Sequence, residues 1–242
     1  MAHHLLNQHQ SDRRQLLQAG LCMGALACGA PAANAAPLKL TKFAPSRLVD
    51  ALGRPIKAST LKPDEPMVFT YPFEATPVFL VALQQAPKPA AITAGQQGDY
   101  VSLEGVGPKR NLVAYSTICS HRMMYPTAQI SFINVRPGTG NEPSQVIHCC
   151  GDNSRYDPTH GARVISGPAP APLAMVALEW QPSDDSLRAV GVLGADMFKP
   201  FFEKYAFKLE MELGRRARQA CGDTTKAVPT TTYSKQWQSC AA

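Results

Sequence analysis

Residues 145–158 read Gln145-Val146-Ile147-His148-Cys149-Cys150-Gly151-Asp152-Asn153-Ser154-Arg155-Tyr156-Asp157-Pro158. A short apolar run stops abruptly at a loop of Cys, Gly, Asp and Asn, which is how a β-strand ends in a turn. The pattern repeats along the chain. Met67-Val68-Phe69, Val78 to Leu83, Asn111 to Tyr115, Ile130 to Val135 and Ala174 to Leu178 are each apolar, short and bounded by Pro, Gly or Asp. Many short strands at this spacing predict an all-β architecture, an antiparallel sandwich or barrel.

Composition narrows the class. The chain has 242 residues, 45% of them hydrophobic and 17% charged. The charged share lies below the roughly 25% of an average globular protein, which excludes a charge-rich disordered chain. The 21 Pro and 17 Gly supply turns without reaching low-complexity levels. The net charge of +6 is scattered, and the densest basic run is Arg215-Arg216-Ala217-Arg218. Such a surface argues against nucleic acid as a partner.

Ser11-Asp12-Arg13-Arg14-Gln15-Leu16-Leu17 precedes an apolar stretch from Leu16 to Ala30 and a small-x-small site at Ala33-Asn34-Ala35. Residues 1–35 therefore resemble a bacterial export signal of the twin-arginine type. That route carries folded proteins, often with a cofactor already inserted. The expectation is a periplasmic protein starting near Ala36, anchored to the membrane only if the signal is retained. Beyond it lie an N-terminal extension (36–65) and the β domain (66–195). A C-terminal helix follows at 196–218, with Asp196 as N-cap and Gly214 interrupting it, and then an extended tail at 219–242. The helix is read from Phe198, Phe201, Phe202, Tyr205, Leu209 and Leu213 at three- and four-residue steps.

Of the seven cysteines, Cys22 and Cys28 lie in the signal, and Cys221 and Cys240 bracket the tail, where a disulfide between them would pin that arm. Cys119, Cys149 and Cys150 share their surroundings with His121 and His148. The segments Ile118-Cys119-Ser120-His121, residues 147–158, and Gly167-Pro168-Ala169-Pro170-Ala171-Pro172-Leu173 occur in that order. Together they resemble the Rieske iron–sulfur family. That resemblance implies loops 118–125 and 147–158 meeting around a [2Fe–2S] cluster, a proline loop (167–173) covering it, and a Rieske-like β fold. Two thiolates would hold one iron. Neutral ligands on the other raise the potential. Hydrogen bonds from Ser154 and Tyr156 to the sulfurs would stabilise the reduced state.

The sequence departs from that pattern. Without gaps, Cys149 takes the ligand cysteine's place, Gly151 that of a second, disulfide-forming cysteine, and Asp152 that of the second histidine. Met124 stands where the other half of the disulfide would be, so the loop-to-loop bridge is absent. Asn153 replaces a glycine, which Asn tolerates because it adopts left-handed backbone. The expected ligands are thus Cys119, His121, Cys149 and Asp152, and an anionic carboxylate would lower the potential. Cys150, Asn153 and His148 are alternatives. Cys150 is otherwise read as a packed or free thiol, and His148, on the strand, should point away. Asp157-Pro158 reads as a turn and His160 as exposed. Arg136 to Pro143 is a Pro-Gly-rich insertion.

Three functions follow. The first is a periplasmic one-electron carrier serving a redox partner such as a dehydrogenase, quinol oxidase or cytochrome, a subunit of an oxidoreductase rather than a stand-alone enzyme. The second is a docking or assembly protein that has lost its cluster. The third is a redox sensor with an incompletely ligated cluster. An oxygenase is excluded, because His160 is the last histidine and no two-histidine-one-carboxylate set follows Leu178.

Overall fold

The computed structural model describes residues 40–93 and 99–240. Residues 1–35, expected as an export signal, lie outside the described residues. Among the described residues no helix is long and apolar enough to cross a membrane.

The chain is predominantly β. Its larger sheet contains β1 (Leu40–Val49), β2 (Met67–Thr70), β3 (Pro77–Ala82), β6 (Leu112–Ser116), β12 (Met175–Gln181), β13 (Ser186–Leu193), β14 (Thr224–Lys226) and β15 (Val228–Pro229). They run in the order β14-β1-β13-β12-β6-β3-β2-β15. The two ends of that order, β14 and β15, are separated in sequence by Ala227 alone. The sheet must therefore curl until its edges meet. Thr225 Oγ1 on β14 donates to the carbonyl of Thr70 on β2 at 2.9 Å. The result is a nearly closed barrel. A smaller sheet orders β11 (Arg163–Ser166), β10 (Ser154–Asp157), β9 (Gln145–Cys149) and β8 (Ile133–Pro137). Two short pairs complete the strands: β4 (Ala91–Ile92) with β5 (Tyr100–Val101), and β7 (Ile130–Ser131) with β16 (Gln236–Trp237).

Strand alternation divides the apolar residues between two cores. On β3, Val78, Leu80 and Ala82 enter the core shared with Phe198, Phe201, Phe202 and Leu209. Phe79 and Val81 enter a second core, shared with Ile133, Ile147, Cys149 and Tyr156 of the smaller sheet and with Cys119. β3 is buried along its whole length because it has a core on each face.

The C-terminal helical region is broken. Phe198–Lys204 (α1) and Ala206–Leu213 (α2) meet at Tyr205, whose backbone leaves the helical region at φ −107°. Its ring lies 5.0 Å from that of Tyr125 and 5.5 Å from that of Phe201. The expected N-cap does not hold. Asp196 sits in a 3-10 turn (Ala195–Met197) that follows Gly194, and its side chain caps nothing. Gly214, at φ 57°, ends α2. The segment 36–65, expected as an extension, supplies β1. The tail is strand-bearing: β14 runs parallel to β1, β15 antiparallel to β2, and β16 parallel to β7.

The disulfide expectation is corrected. Cys240 bonds Cys150, and Cys221 is a free, buried thiol whose Sγ donates to the Thr70 carbonyl at 3.2 Å. Cys221 is held under the larger sheet by its own N–H to the Pro72 carbonyl. The chain then supplies β14 and β15 to the larger sheet and β16 to the pair with β7 before it reaches Cys240, which is bonded to Cys150 instead of Cys221. The insertion at 136–143 forms the end of the β8–β9 hairpin. Its Glu142 accepts hydrogen bonds from Arg136, Arg155 and Thr139.

Candidate metal centre

Two loops enter the second core from different strands. After β6, Cys119 N–H donates to the Met124 carbonyl at 2.9 Å and Met123 N–H to the Cys119 carbonyl at 2.8 Å. Closing so short a turn drives Met123 to φ 56°. The second loop joins β9 to β10, in register with Cys149 opposite Ser154 and Ile147 opposite Tyr156. Alternation sends Ile147, Cys149 and Tyr156 into the second core, and places His148 and Arg155 together on the other face. Asn153 adopts φ 61°, and Asp152 Oδ1 accepts the Ser154 N–H at 3.0 Å, an Asx turn that fixes the carboxylate.

The ligand atoms of Cys119, Cys149 and Asp152 lie within 4.8 Å of one another. Asp152 Oδ2 is 3.1 Å from Cys119 Sγ and 3.2 Å from His121 Nδ1. Both cysteines are fully buried, whereas the His121 side chain is 35% exposed. The site thus has a sheltered sulfur end and an open imidazole end. Tyr156 Oη lies 3.3 Å from Cys119 Sγ and 3.3 Å from Ser120 Oγ. Ser120 Oγ donates to the Ala171 carbonyl at 2.5 Å, which ties the first loop to the proline loop. Gly167 closes the other side: at φ 94° it abuts the Asn153 carbonyl and Ser154 Cα so closely that a Cβ would collide with both.

The remaining candidates lie apart from this group. His148 accepts from Arg136 Nε at its Nδ1 (2.9 Å), so its Nε2 carries the proton and donates to Asn153 Oδ1 at 2.7 Å. Both ring nitrogens and the Asn153 oxygen are therefore engaged away from the site. Cys150 is in the disulfide. His160 is half-exposed and 2.8 Å from Asp157, whose Oδ1 accepts the Thr159 N–H as the turn reading anticipates. A Cβ on Gly151 would run into Sδ of Met124, so these two positions face each other, joined by packing alone.

The electrostatics follow from burial and proximity. The hydrogen bond from Cys149 draws the Cys119 thiol below its ordinary value, and the same contact with burial pushes Cys149 up. One thiolate is stabilised by its neighbour and the second is opposed. Burial raises the Asp152 carboxyl, but hydrogen bonds from Cys119 and from Ser154 outweigh it and leave the group low. Burial, with negative charge at Cys119, keeps Tyr156 a phenol. Two adjacent groups, Cys119 and Asp152, thus favour negative charge in a buried space, an arrangement that suits a cation. The Ser154 hydroxyl is fully buried and has no hydrogen-bond partner, although it faces Asp152.

Sequence reasoning passed over Ser120, although it lies between Cys119 and His121, and its position inside the Cys-x-His segment was the available signal. It also missed Cys240 as the partner of Cys150, for which the sequence offers none.

No protein-family model matches the chain. Among solved structures, the chain is similar to the soluble domain of the Rieske protein II (soxF) from Sulfolobus acidocaldarius, at 26% identity and a TM-score of 0.45. The match covers 62% of this chain and 78% of that one.

Proposed function

We propose that the chain is an exported, periplasmic one-electron carrier whose [2Fe–2S] cluster would be held by Cys119 and Cys149 at one iron and by His121 and Asp152 at the other. The observation that carries this reading is the convergence of two buried thiols, a carboxylate and an imidazole from loops about thirty residues apart. Thiolates select iron–sulfur clusters and soft ions over magnesium or calcium. The unpartnered Ser154 hydroxyl also fits, because a buried donor needs an acceptor and a cluster sulfur supplies one.

When bound, the cluster accepts and returns a single electron. The chain's residues set the terms. Tyr156, with its hydroxyl 3.3 Å from Cys119 Sγ, and Ser154, with its hydroxyl beside Asp152, would both favour the reduced, more negative state. Asp152 opposes them with its own charge. His121 forms the open edge, where a dehydrogenase, quinol oxidase or cytochrome would exchange the electron. The buried cysteine end is insulated from solvent.

A second reading has its own observation. The 3.1 Å between Asp152 Oδ2 and Cys119 Sγ suits two donors on one ion, since a tetrahedral zinc site with bonds of 2.0–2.3 Å spaces neighbouring donors by about 3.6 Å. The reading is then a single ion shared by the two thiolates, the imidazole and the carboxylate.

Iron and acid-labile sulfide analysis separates the two. Two irons and two sulfides per chain are expected, with an EPR signal on reduction. One ion without sulfide supports the second reading, and a metal-free, colourless protein refutes both in favour of a cluster-less docking protein. Asp152→His is expected to raise the midpoint potential by about 100 mV, because one anionic ligand becomes neutral. An unchanged midpoint means that position 152 does not touch the metal.

A further inference from the structure

The Met124–Gly151 contact between the loops is non-covalent, and the covalent bond at this end of the molecule lies elsewhere. Cys150, the residue after the candidate ligand Cys149, is bonded to Cys240, 90 residues downstream. The segment that delivers Cys240 is fastened along its length. Ser234 Oγ donates to the Thr127 carbonyl at 2.6 Å. Lys235 and Gln236 N–H donate to the carbonyls of Ala128 and Gln129, and Gln238 N–H to that of Ser131 at 2.8 Å. Asn134 Nδ2 closes the set on the Gln238 carbonyl. These bonds bracket Phe132, whose carbonyl accepts the Cys150 N–H at 2.6 Å. Cys150 is therefore gripped twice by one arrangement, through its backbone and through its sulfur.

One side chain of the segment is packed: Trp237 rests on the second core, its ring 6.4 Å from that of Phe79. Beside it, a pocket of about 650 Å3 is lined by the segment at Trp237, Gln238 and Cys240 and by the smaller sheet at Arg136, His148 and Arg155. Chain bordering an open pocket gains less dispersion attraction than chain packed against a sheet. Past Trp237, the segment is held by the hydrogen bonds at Gln238 and by the disulfide.

We infer that residues 234–240 form a strap that positions the second metal loop, with Cys150 and Cys240 as positioning residues that keep Cys149 and Asp152 facing Cys119. The inference rests on reading those three as metal donors. The physical reason is that the loop's other supports are short-range hydrogen bonds and one packing contact on Met124, and a cross-link to a fastened segment removes conformational freedom they leave.

The test uses the full chain, wild type against Cys240→Ser and, separately, Cys150→Ser. Peptide mapping without reduction is expected to recover Cys150 joined to Cys240. A Cys221–Cys240 pair or free thiols at 150 and 240 overturns the inference. After loading with ferrous iron and sulfide, both variants are expected to reach the wild-type stoichiometry. They should then release iron to a chelator about ten- to a hundredfold faster, the usual scale for lost support behind a ligand. Equal release rates overturn the strap. In metal-free protein, a thiol reagent is expected to label Cys119 and Cys149 faster in both variants while Cys221, buried beneath Thr70, keeps its wild-type rate. Acceleration of all three thiols alike means general destabilisation and also overturns the strap. If no form of the chain loads metal, the functional reading fails on its own, and the labelling comparison alone decides the strap.

Discussion

The two loops of the candidate site are held by opposite kinds of force. Residues 119–125 are anchored by aromatic packing. The Tyr125 ring lies 5.1 Å from Phe201 and 5.0 Å from Tyr205, with Lys208 Nζ 4.8 Å above its face. Lys204 Nζ donates to the Arg122 carbonyl, joining the loop to α1. Of residues 149–154, only Cys149 enters a hydrophobic core, and no aromatic stack anchors them. An Asx turn, the His148–Asn153 hydrogen bond, a left-handed Asn153 and a disulfide hold them instead. The first loop should therefore fail together with the hydrophobic core. The second should respond to local steric, ionic and redox changes that leave the core intact.

The largest effect should come from Tyr125→Ala, which removes the ring on which the first loop and both helices converge. The expected loss is about 3–5 kcal/mol, measured by urea denaturation. A loss below 1 kcal/mol would break the contrast, because it would mean that packing does not anchor this loop. Next is Gly151→Ala, which forces Met124 aside. A cost of about 1–2 kcal/mol is expected, at the low end for overpacking because methionine is flexible. Met124→Ala in the same chain should recover much of it, giving a double-mutant cycle with measurable coupling between the loops.

The smallest effect concerns the ionic support behind the second loop. Burial raises the Glu142 carboxyl, but hydrogen bonds from Arg136 and Thr139 and the Arg136 charge outweigh it and hold the group at about 2. A carboxyl lowered on folding contributes fully above its unfolded value, near 4.5, and loses that contribution as pH falls through about 2. After allowance for screening at arginines that are partly open to solvent, Glu142→Gln should cost about 1 kcal/mol at pH 7. The difference from wild type should shrink as pH falls from about 4.5 to about 2 and vanish only below pH 2. A cost that persists there would assign it to shape instead of charge.

Much of this molecule was legible before its structure, for identifiable reasons. β2, β3, β6, β9 and β12 each carry an unbroken apolar run between breakers, and each appears within a few residues of its expected span. The run 130–135 divides at Phe132, whose carbonyl turns to Cys150, a distant partner that no local pattern encodes. β1 escaped because Leu40 to Val49 contains Pro45 and charged residues. The structure absorbs them in a bulge, where the register against β13 shifts between Lys42 and Ser46. β13 carries Arg188 and Gly191, which blur its alternation, and Gly191 is where β1 approaches so closely that a Cβ would strike the Thr41 carbonyl. At the candidate site, Cys119, His121, Cys149, Asp152, Ser154 and Tyr156 were readable because each lies inside a short segment with its own spacing. The Cys150–Cys240 bond was not, since pairing among distant cysteines has no sequence signature.

The closing of the larger sheet at Ala227 bears on how another protein could join this one. A free sheet edge is a template on which a foreign strand can be added, whether in recognition or in aggregation. Where β14 and β15 meet, that template is withdrawn. In the smaller sheet, β8 ends at Pro137 and Gln238 lies alongside its start, which leaves β11 (Arg163–Ser166) as that sheet's other, more exposed border. A visiting chain would either zip onto that one arginine-bearing strand or make its acquaintance through loops and side chains alone.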